Sequence, residues 1–512
     1  MQFNRHLAAF LVSLFSVCVL RAGVLESIGV TPIRNEDATL TGAGVRAAQP
    51  EGGNPTWEVD PTVVGQPASL FTWISSGGSS TTFPNSLGQA SGHAGGVGIA
   101  FYGATAGVAA GITSMDNYEA GHFVFTIVPG LTAIRARVVN QSFVLGSSPP
   151  AATVESQYDN YVATYNKVIV SGAGNDGPPS RPSTAYNVIS VGAFGGFSAV
   201  GPTTNGGRAK PDLTAPADVT SYSTPLVAGA ATLLMQSAMR NDAGAGTAAT
   251  ATNAITLKAL LLNGAIKPAG WTNGVVAPLD ARYGAGVLNA YNSWLQLRGG
   301  KRAFIESISS SAGGEHLPGS NPNSLTVLRG WDHNSVSSSV LNDGVNHYYF
   351  TLGATQATRF SLSATLVWQR RLSQSGINNL DLFLYDTADN TLVASSTSSV
   401  DNVEHLFLAN LPAGRYDLQV LKHGGLGTVS ASETYALAFD FQPVKLSLTP
   451  VGSAVQIAWP VSASGFNLQT TSSSSITDGW VVANNVPVQT NGQFVVQVAP
   501  TDSQRYFRLS RP

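Results

Sequence analysis

A serine at the start of an apolar helix is the residue of this chain best placed to do chemistry. Ser221 lies in a segment of small and hydroxyl-bearing residues, 220–229, and residues 226–239 carry apolar side chains at helical spacing. A serine at a helix start meets unpaired backbone N–H groups and the positive end of the helix dipole. Both stabilise the negative charge that develops when a hydroxyl attacks a carbonyl. The pattern predicts a nucleophile, and the alternative is a serine that only caps the helix.

A serine nucleophile needs a base that accepts its proton. Between residue 23 and Ser221 the chain has two histidines, His93 and His122. His122 precedes an apolar run, residues 123–128, which predicts a strand and a structural role for that histidine. His93 lies among glycines and alanines, which allow close helix packing and leave an imidazole accessible. We therefore predict His93 as the base, with a surface histidine in a glycine-rich loop as the alternative.

An asparagine at the end of an apolar run could bind the oxyanion. Asn175 follows residues 168–171 in the sequence Gly-Ala-Gly-Asn-Asp-Gly. A carboxamide there can donate to a developing oxyanion without any change in its own charge. The alternative is an ordinary turn, since glycine, asparagine and aspartate are common turn residues.

Together these segments resemble the motifs of the subtilisin-like serine proteases, the subtilases of peptidase family S8. Residues 220–229 are similar to the family's G-T-S-M-A-T-P-x-V-A-G, and residues 168–177 to its strand followed by A-A-G-N-E-G. Residues 91–100 and 206–216 resemble the family's histidine segment and its K-P-D-x-x-A-P segment. The resemblance covers most of residues 38–300. It implies a mostly parallel sheet flanked by helices and hydrolysis of peptide bonds through an acyl-enzyme.

The resemblance also assigns roles to further residues. The acid that orients the histidine is implied at Glu51, because residues 41–53 are similar to T-G-x-G-V-x-V-A-V-x-D-x-G with Glu in place of Asp. A glutamate carries the charge that this role requires but is one methylene longer. Asp60 and Asp37 are the other acids considered, and a surface glutamate with a broken triad is the remaining alternative. The resemblance places Asn175 in the oxyanion hole. The substrate-binding residues that it implies are Asn140, Ser142, Gly172 and Gly174.

Two functions compete for this chain. The first is a secreted serine endopeptidase that uses Ser221, His93 and Glu51 on a polypeptide substrate and requires no cofactor. The second is a catalytically inactive, subtilase-like binding protein at the cell surface. The chain has no G-x-S-x-G elbow and no H-E-x-x-H motif, which argues against an α/β-hydrolase esterase and a zinc protease.

The composition indicates a secreted protein. Of the 512 residues only 11% are charged and the net charge is −2, so no basic surface argues for a nucleic-acid partner. The apolar run at residues 7–20 predicts a signal peptide over residues 1–22. Since the only cysteine, Cys18, lies within it, we expect a mature chain without disulfides. We expect no later membrane span and no separate propeptide domain before Glu51.

The character of the sequence changes near residue 300. Before it, apolar runs alternate with helical stretches, which predicts an α/β domain at residues 23–300. After it, short strands alternate with turns, which predicts a jelly-roll-like β-sandwich at residues 301–443 and a small β domain at residues 444–512. The helices are predicted at residues 226–239, 256–263 and 286–297. The sandwich resembles a module that follows the catalytic domain in some subtilases and can hold calcium. The calcium ligands that this implies are Asp381, Asp386 and Asp401.

Overall fold

A computed structural model describes residues 23–371, 376–426, 428–463, 466–472, 479–490, 493–499 and 504–510. The predicted signal peptide, residues 1–22, lies outside these ranges. Within them, no helix is both long and apolar enough to cross a lipid bilayer.

An eight-stranded sheet forms the centre of the first 300 residues. The strands of this region are β1 (Arg46–Glu51), β2 (Thr56–Glu58), β3 (Phe71–Ser75), β4 (Gly78–Ser80), β5 (Gln89–Ala90), β6 (Ser114–Glu119), β7 (Val138–Gln141), β8 (Val168–Gly172), β9 (Ile189–Phe194) and β10 (Leu213–Pro216). The order across the sheet is β10-β9-β8-β7-β1-β6-β3-β4, while β2 and β5 pair separately. All neighbours in the large sheet run parallel except β3 and β4. The mostly parallel sheet is therefore confirmed.

Helices cover this sheet and bury it on both faces, as parallel sheets require. They are α1 (Val30–Glu36), α2 (Pro61–Val64), α3 (Gly92–Phe101), α4 (Ala120–His122), α5 (Ala151–Tyr165), α6 (Thr220–Met239), α7 (Ala248–Ala251), α8 (Ala254–Asn263) and α9 (Ala290–Arg298). Helix α6 is almost wholly buried and packs against β7, β8 and β9.

All three predicted helices begin at other residues than the sequence predicts. Helix α6 begins at Thr220, six residues before the predicted start. Helix α8 begins at Ala254, because the Asn253 side chain accepts a hydrogen bond from the N–H of Ile255 and so caps the helix. Helix α9 begins only at Ala290, four residues after the predicted start. There the Asn289 side chain is the cap.

The prediction of a strand at residues 123–128 is wrong. The Glu119 carboxylate accepts the N–H groups of Gly121 and His122, which starts helix α4, and residues 123–127 continue it as a π-helical turn. A strand would bury alternate residues, but residues 123 and 124 are both buried, 125 and 126 are both exposed, and 127 and 128 are buried again. The local cap therefore overrides the β-propensity of the run.

Two antiparallel sheets follow in residues 306–443, which confirms the predicted β-sandwich. The strands are β11 (Glu306–Ser311), β12 (Arg329–Ser337), β13 (Asn342–Leu352), β14 (Arg359–Trp368), β15 (Leu380–Asp386), β16 (Thr391–Ser396), β17 (Val403–Pro412), β18 (Gly414–Lys422) and β19 (Ser432–Pro443). One sheet has the order β11-β13-β18-β15-β16 and the other β12-β19-β14-β17. Their facing side chains form a separate apolar core that includes Tyr348, Phe350, Trp368 and Phe439.

A last β region has two smaller antiparallel sheets. Its strands are β20 (Ser447–Val451), β21 (Ala454–Pro460), β22 (Asn467–Thr471), β23 (Val481–Val482), β24 (Val488–Thr490), β25 (Gln493–Val498) and β26 (Tyr506–Ser510). Ile457, Trp459, Leu468 and Val496 form its core. The domain boundaries at residues 300 and 443 stay predictions, and they fall between α9 and β11 and between β19 and β20.

The sandwich packs directly on the α/β region. Trp331 and Val367 of the sandwich belong to the same buried cluster as the α/β core. At the end of α8, Asn263 Oδ1 accepts hydrogen bonds from Ser363 Oγ at 2.8 Å and from Thr365 Oγ1 at 2.9 Å. Shared apolar burial and polar contacts therefore join these two parts of the chain.

Candidate active site

The carboxyl ends of three neighbouring strands bring the predicted site residues to one edge of the sheet. Strand β1 ends at Glu51, β7 ends next to Ser142, and β8 ends at Gly172, just before Asn175. Helices α3 and α6, which carry His93 and Ser221, begin near the same edge. In parallel sheets this edge is the usual place for a site, because loops and helix N-termini converge there.

Glu51 and His93 are in direct contact. The Glu51 Oε1 atom lies 2.9 Å from His93 Nδ1, and the side chains are 2% and 41% exposed. The backbone N–H of Gly52 also donates to Oε1, at 3.2 Å. The hydrogen bond to Glu51 raises the pKa of His93 above its ordinary value, whereas burial acts in the opposite direction. A carboxylate on Nδ1 leaves the Nε2 atom of a neutral imidazole as the proton acceptor.

Ser221 lies in the first turn of α6, and the alternative of a capping serine is wrong. Val219 occupies the N-cap position, where no side chain caps the helix. Pro225 has no N–H, so it cannot donate to the Ser221 carbonyl four residues earlier. Ser142 Oγ donates to that carbonyl instead, at 2.9 Å. The Ser221 hydroxyl donates to the Ser142 carbonyl at 3.3 Å.

The Ser221 hydroxyl is not directed to the His93 imidazole in this structure. Both belong to the described residues, and no hydrogen bond joins His93 Nε2 to Ser221 Oγ there, since the hydroxyl is directed to Ser142. Tyr222, the residue after the serine, has its ring 6.1 Å from the imidazole. Catalytic hydrogen bonds are often long in free enzymes and shorten when substrate binds.

Thr220 orients the carboxamide of Asn175. Its N–H and its hydroxyl both donate to Asn175 Oδ1, at 2.9 Å and 2.8 Å. Because the oxygen is fixed, the amide NH₂ faces away from Thr220, and the Asn175 side chain is exposed. The donor end of the carboxamide is therefore the end available to a ligand.

The four predicted substrate-binding residues are all buried. Asn140 Nδ2 donates to Ser142 Oγ at 3.1 Å. Gly172 lies against the first turns of α6, where a Cβ would come within 3.1 Å of Thr224 Oγ1. Gly174 has a φ of 110°, which a glycine adopts without strain. These side chains and glycines shape the edge of the site, and their contact with substrate stays a prediction.

The alternative acids lie in other contacts. Asp60 caps α2 by accepting the N–H of Thr62, and Asp37 pairs with Arg240. Neither is a partner of His93 in the described part of the chain.

The predicted calcium ligands each have protein partners. Asp381 pairs with His423 at 2.7 Å, and Asp386 accepts the N–H of Ala388. Asp401 accepts the N–H of Ala209. Among the described residues no group of three or more histidines, cysteines and acids could hold a metal ion. Calcium binding by Asp381, Asp386 and Asp401 stays a prediction.

Two residues at the acid escaped the sequence analysis. Gln49 Nε2 donates to the carbonyl of Ala94 at 3.0 Å and to Glu51 Oε2 at 3.4 Å, and Tyr102 OH donates to Gln49 Oε1 at 2.7 Å. The available signal was a glutamine in an otherwise small-residue buried strand, two residues before Glu51 and so on the same face.

The comparison with known families agrees with this geometry. Residues 77–286 match the model of the subtilase family. This stretch of the chain is therefore similar to a subtilase domain. Subtilases are serine-type peptidases, and the matched residues include His93, Asn175 and Ser221. Glu51 lies before the matched range, so only its contact with His93 connects it to the candidate site.

Solved structures of proteases resemble this chain at low identity. The protease domain of PatA is 20% identical over 51% of this chain and 98% of its own, with a TM-score of 0.36. The prenylagaramide maturation protease PagA is 18% identical over 53% of this chain and 99% of its own, with a TM-score of 0.39. Tripeptidyl peptidase 2 is 13% identical over 75% of this chain and 43% of its own, with a TM-score of 0.31. These likenesses are too distant to carry an argument about the activity of this chain.

Proposed function

We propose that this chain is a secreted serine endopeptidase with Ser221, His93 and Glu51 as its triad. The observation that carries the proposal is the 2.9 Å contact between Glu51 and His93. An acid at a strand end and a histidine 42 positions later meet only if the fold brings them together. The alternative of a broken triad predicts no such contact.

The reaction follows from the positions of these groups. Neutral His93 accepts the Ser221 proton at Nε2 while the Ser221 oxygen attacks the peptide carbonyl. Glu51 holds the Nδ1 proton and stabilises the imidazolium that forms. The Asn175 amide and the Ser221 N–H donate to the oxyanion. His93 then protonates the leaving amine, and water releases the acyl group from Ser221 by the same steps in reverse. No cofactor takes part.

Secretion is part of the proposal and rests on the signal-peptide pattern of residues 1–22. Expression of the full chain with its own N-terminus, followed by N-terminal sequencing of the exported protein, tests it. A mature chain that begins at Gly23 is the expected result, and retention of the intact N-terminus inside the cell would contradict it.

The peptidase activity is tested on the purified mature chain beside Ser221→Ala and Glu51→Ala. We expect a fluorophosphonate probe to label the parent and the parent to cleave casein. Ser221→Ala should lose both, and Glu51→Ala should lose most of the rate, about 10⁴-fold in a comparable triad. A well-folded parent that neither labels nor cleaves would favour the inactive binding protein instead.

A further inference from the structure

We propose that Gln49 and Tyr102 form a buried positioning pair that holds the longer Glu51 carboxylate on His93. The inference rests on the proposed peptidase function and adds two residues to it. Neither residue touches substrate, so each acts through Glu51 and through the helix that carries His93.

The first step is the position of Gln49 between the two elements that supply the triad. Gln49 and Glu51 lie on the same face of β1, and both are buried. One amide hydrogen of Gln49 reaches the carbonyl of Ala94, the residue after His93, at 3.0 Å. The other is directed to Glu51 Oε2 at 3.4 Å. A single carboxamide therefore links the strand of the acid to the helix of the base.

The second step is that Tyr102 fixes which way this carboxamide faces. Its hydroxyl donates to Gln49 Oε1 at 2.7 Å, so the oxygen end is occupied and the NH₂ end must face Glu51. Burial, with the nearby charge of Glu51 as a second cause, raises the pKa of Tyr102 well above its ordinary value. The phenol therefore stays a hydrogen-bond donor throughout the working pH range.

The third step is that helix α3 leaves space for this phenol. A Cβ at Gly98 would lie 2.8 Å from Tyr102 OH and 2.8 Å from Val64 Cγ1. Any side chain there would displace the hydroxyl from Gln49. The chain thus has a hydrogen-bonded series from Tyr102 through Gln49 to Glu51 and on to His93, with the small residue that the series needs.

The consequence concerns the rotation of the carboxylate. A glutamate has one more torsion than an aspartate, so holding Oε1 on His93 costs more side-chain entropy. Gly52 N–H secures Oε1, and Gln49 secures Oε2. Without Gln49 the buried carboxylate loses a donor and becomes free to turn away from the imidazole.

The experiment compares Gln49→Leu and Tyr102→Phe with the parent, each also in a Glu51→Ala background. The full mature chain is used, and the rate of fluorophosphonate labelling is followed from pH 5 to pH 9. We expect Gln49→Leu to slow labelling about 10- to 100-fold and Tyr102→Phe about 3- to 10-fold, as for loss of buried hydrogen bonds. The acid limb should move to lower pH in both, because a less firmly held carboxylate stabilises protonated His93 less.

The Glu51→Ala background separates positioning from general stability. If Gln49 and Tyr102 act through Glu51, either substitution should change the already slow rate by less than about twofold there, since residues of one unit are not additive. A matched control is Tyr158→Phe, because Tyr158 is a buried tyrosine that bonds another glutamine, Gln141, at 2.7 Å. It should label at the parental rate.

Each outcome decides the inference. A folded parent that does not label overturns the proposed peptidase and this inference together. A labelling parent with parental rates and pH profiles in both variants overturns this inference alone. The same loss in the Glu51→Ala background as in the parent also overturns it, because the effect would then be structural. If Gln49→Leu does not fold, Tyr102→Phe, which removes one oxygen atom, decides the question.

Discussion

Replacing Glu51 by aspartate should impair the proposed peptidase. Glu51→Asp shortens the side chain by one carbon–carbon bond of about 1.5 Å. With the backbone of β1 unmoved, the contact to His93 Nδ1 would lengthen from 2.9 Å to about 4.4 Å. A polar contact of that length is no longer a hydrogen bond. An aspartate is therefore too short at this position.

The size of the effect follows from the same distances. At an effective dielectric constant of 20, the attraction between the two charges falls by about 2 kcal/mol over that change. Solvent at the imidazole, which is 41% exposed, reduces this term. Loss of the aligned hydrogen bond adds a contribution of similar size. A total of about 1.4 to 2.8 kcal/mol corresponds to a 10- to 100-fold slower acylation.

Fluorophosphonate labelling across pH measures this directly, with thermal unfolding as a check of the fold. The control is Glu404→Asp, because Glu404 is a fully buried glutamate of the sandwich that accepts the N–H of Ser398 at 2.7 Å. It should label at the parental rate. A Glu51→Asp variant that labels as fast as the parent, with an unchanged acid limb, would refute the argument that the glutamate is fitted to this site.

Other predictions test the oxyanion donor, the base, and the buried charges. Asn175→Ala should lower kcat about 10²- to 10³-fold with little change in KM, the cost of one such donor in subtilisin. Activity needs neutral His93, and Glu51 raises the pKa of His93. The midpoint of the acid limb of kcat/KM should therefore lie above pH 6.5, and in Glu51→Ala this midpoint should move to lower pH. Asp212→Ala leaves two buried lysines unpaired and should cost about 3–5 kcal/mol in urea unfolding. Asp242→Ala, in a more exposed ion pair, should cost at most about 1 kcal/mol. Burial lowers the pKa of His405 well below 6.5, so stability should fall as pH drops below that value, and less steeply in His405→Gln.

The sequence indicated those parts of the candidate site that local chemistry determines. Ser221 could be proposed as a nucleophile because a helix start and its small neighbours are contiguous in the chain, and Asn175 as an oxyanion donor because it follows a buried strand. The outlines of the sheet were predictable for the same reason, since continuous apolar runs are typical of parallel strands. The first residues of the helices were harder to predict, because the side-chain caps at Asn253 and Asn289 determine where two of them begin.

Contacts between distant residues could not be derived in this way. Tyr102 lies 53 positions from Gln49, and nothing in either local sequence indicates the other. The run after His122 has strand-forming residues, but the Glu119 cap starts a helix that continues through this run. In both cases the deciding interaction is a tertiary or capping contact that competes with local propensity.

If Glu51 is the acid of the proposed triad, it belongs to a set of residues that depend on one another. The longer acid reaches His93 from a strand end whose neighbour Gln49 donates to its second oxygen. Gln49 is in turn held by Tyr102, and Tyr102 needs a glycine at position 98. Each residue depends on the next, because a buried glutamine without hydrogen-bond partners or a buried carboxylate without its donors would destabilise the folded protein. A glutamate placed alone in a relative with aspartate should therefore fail, and it should work better when the glutamine and the tyrosine accompany it.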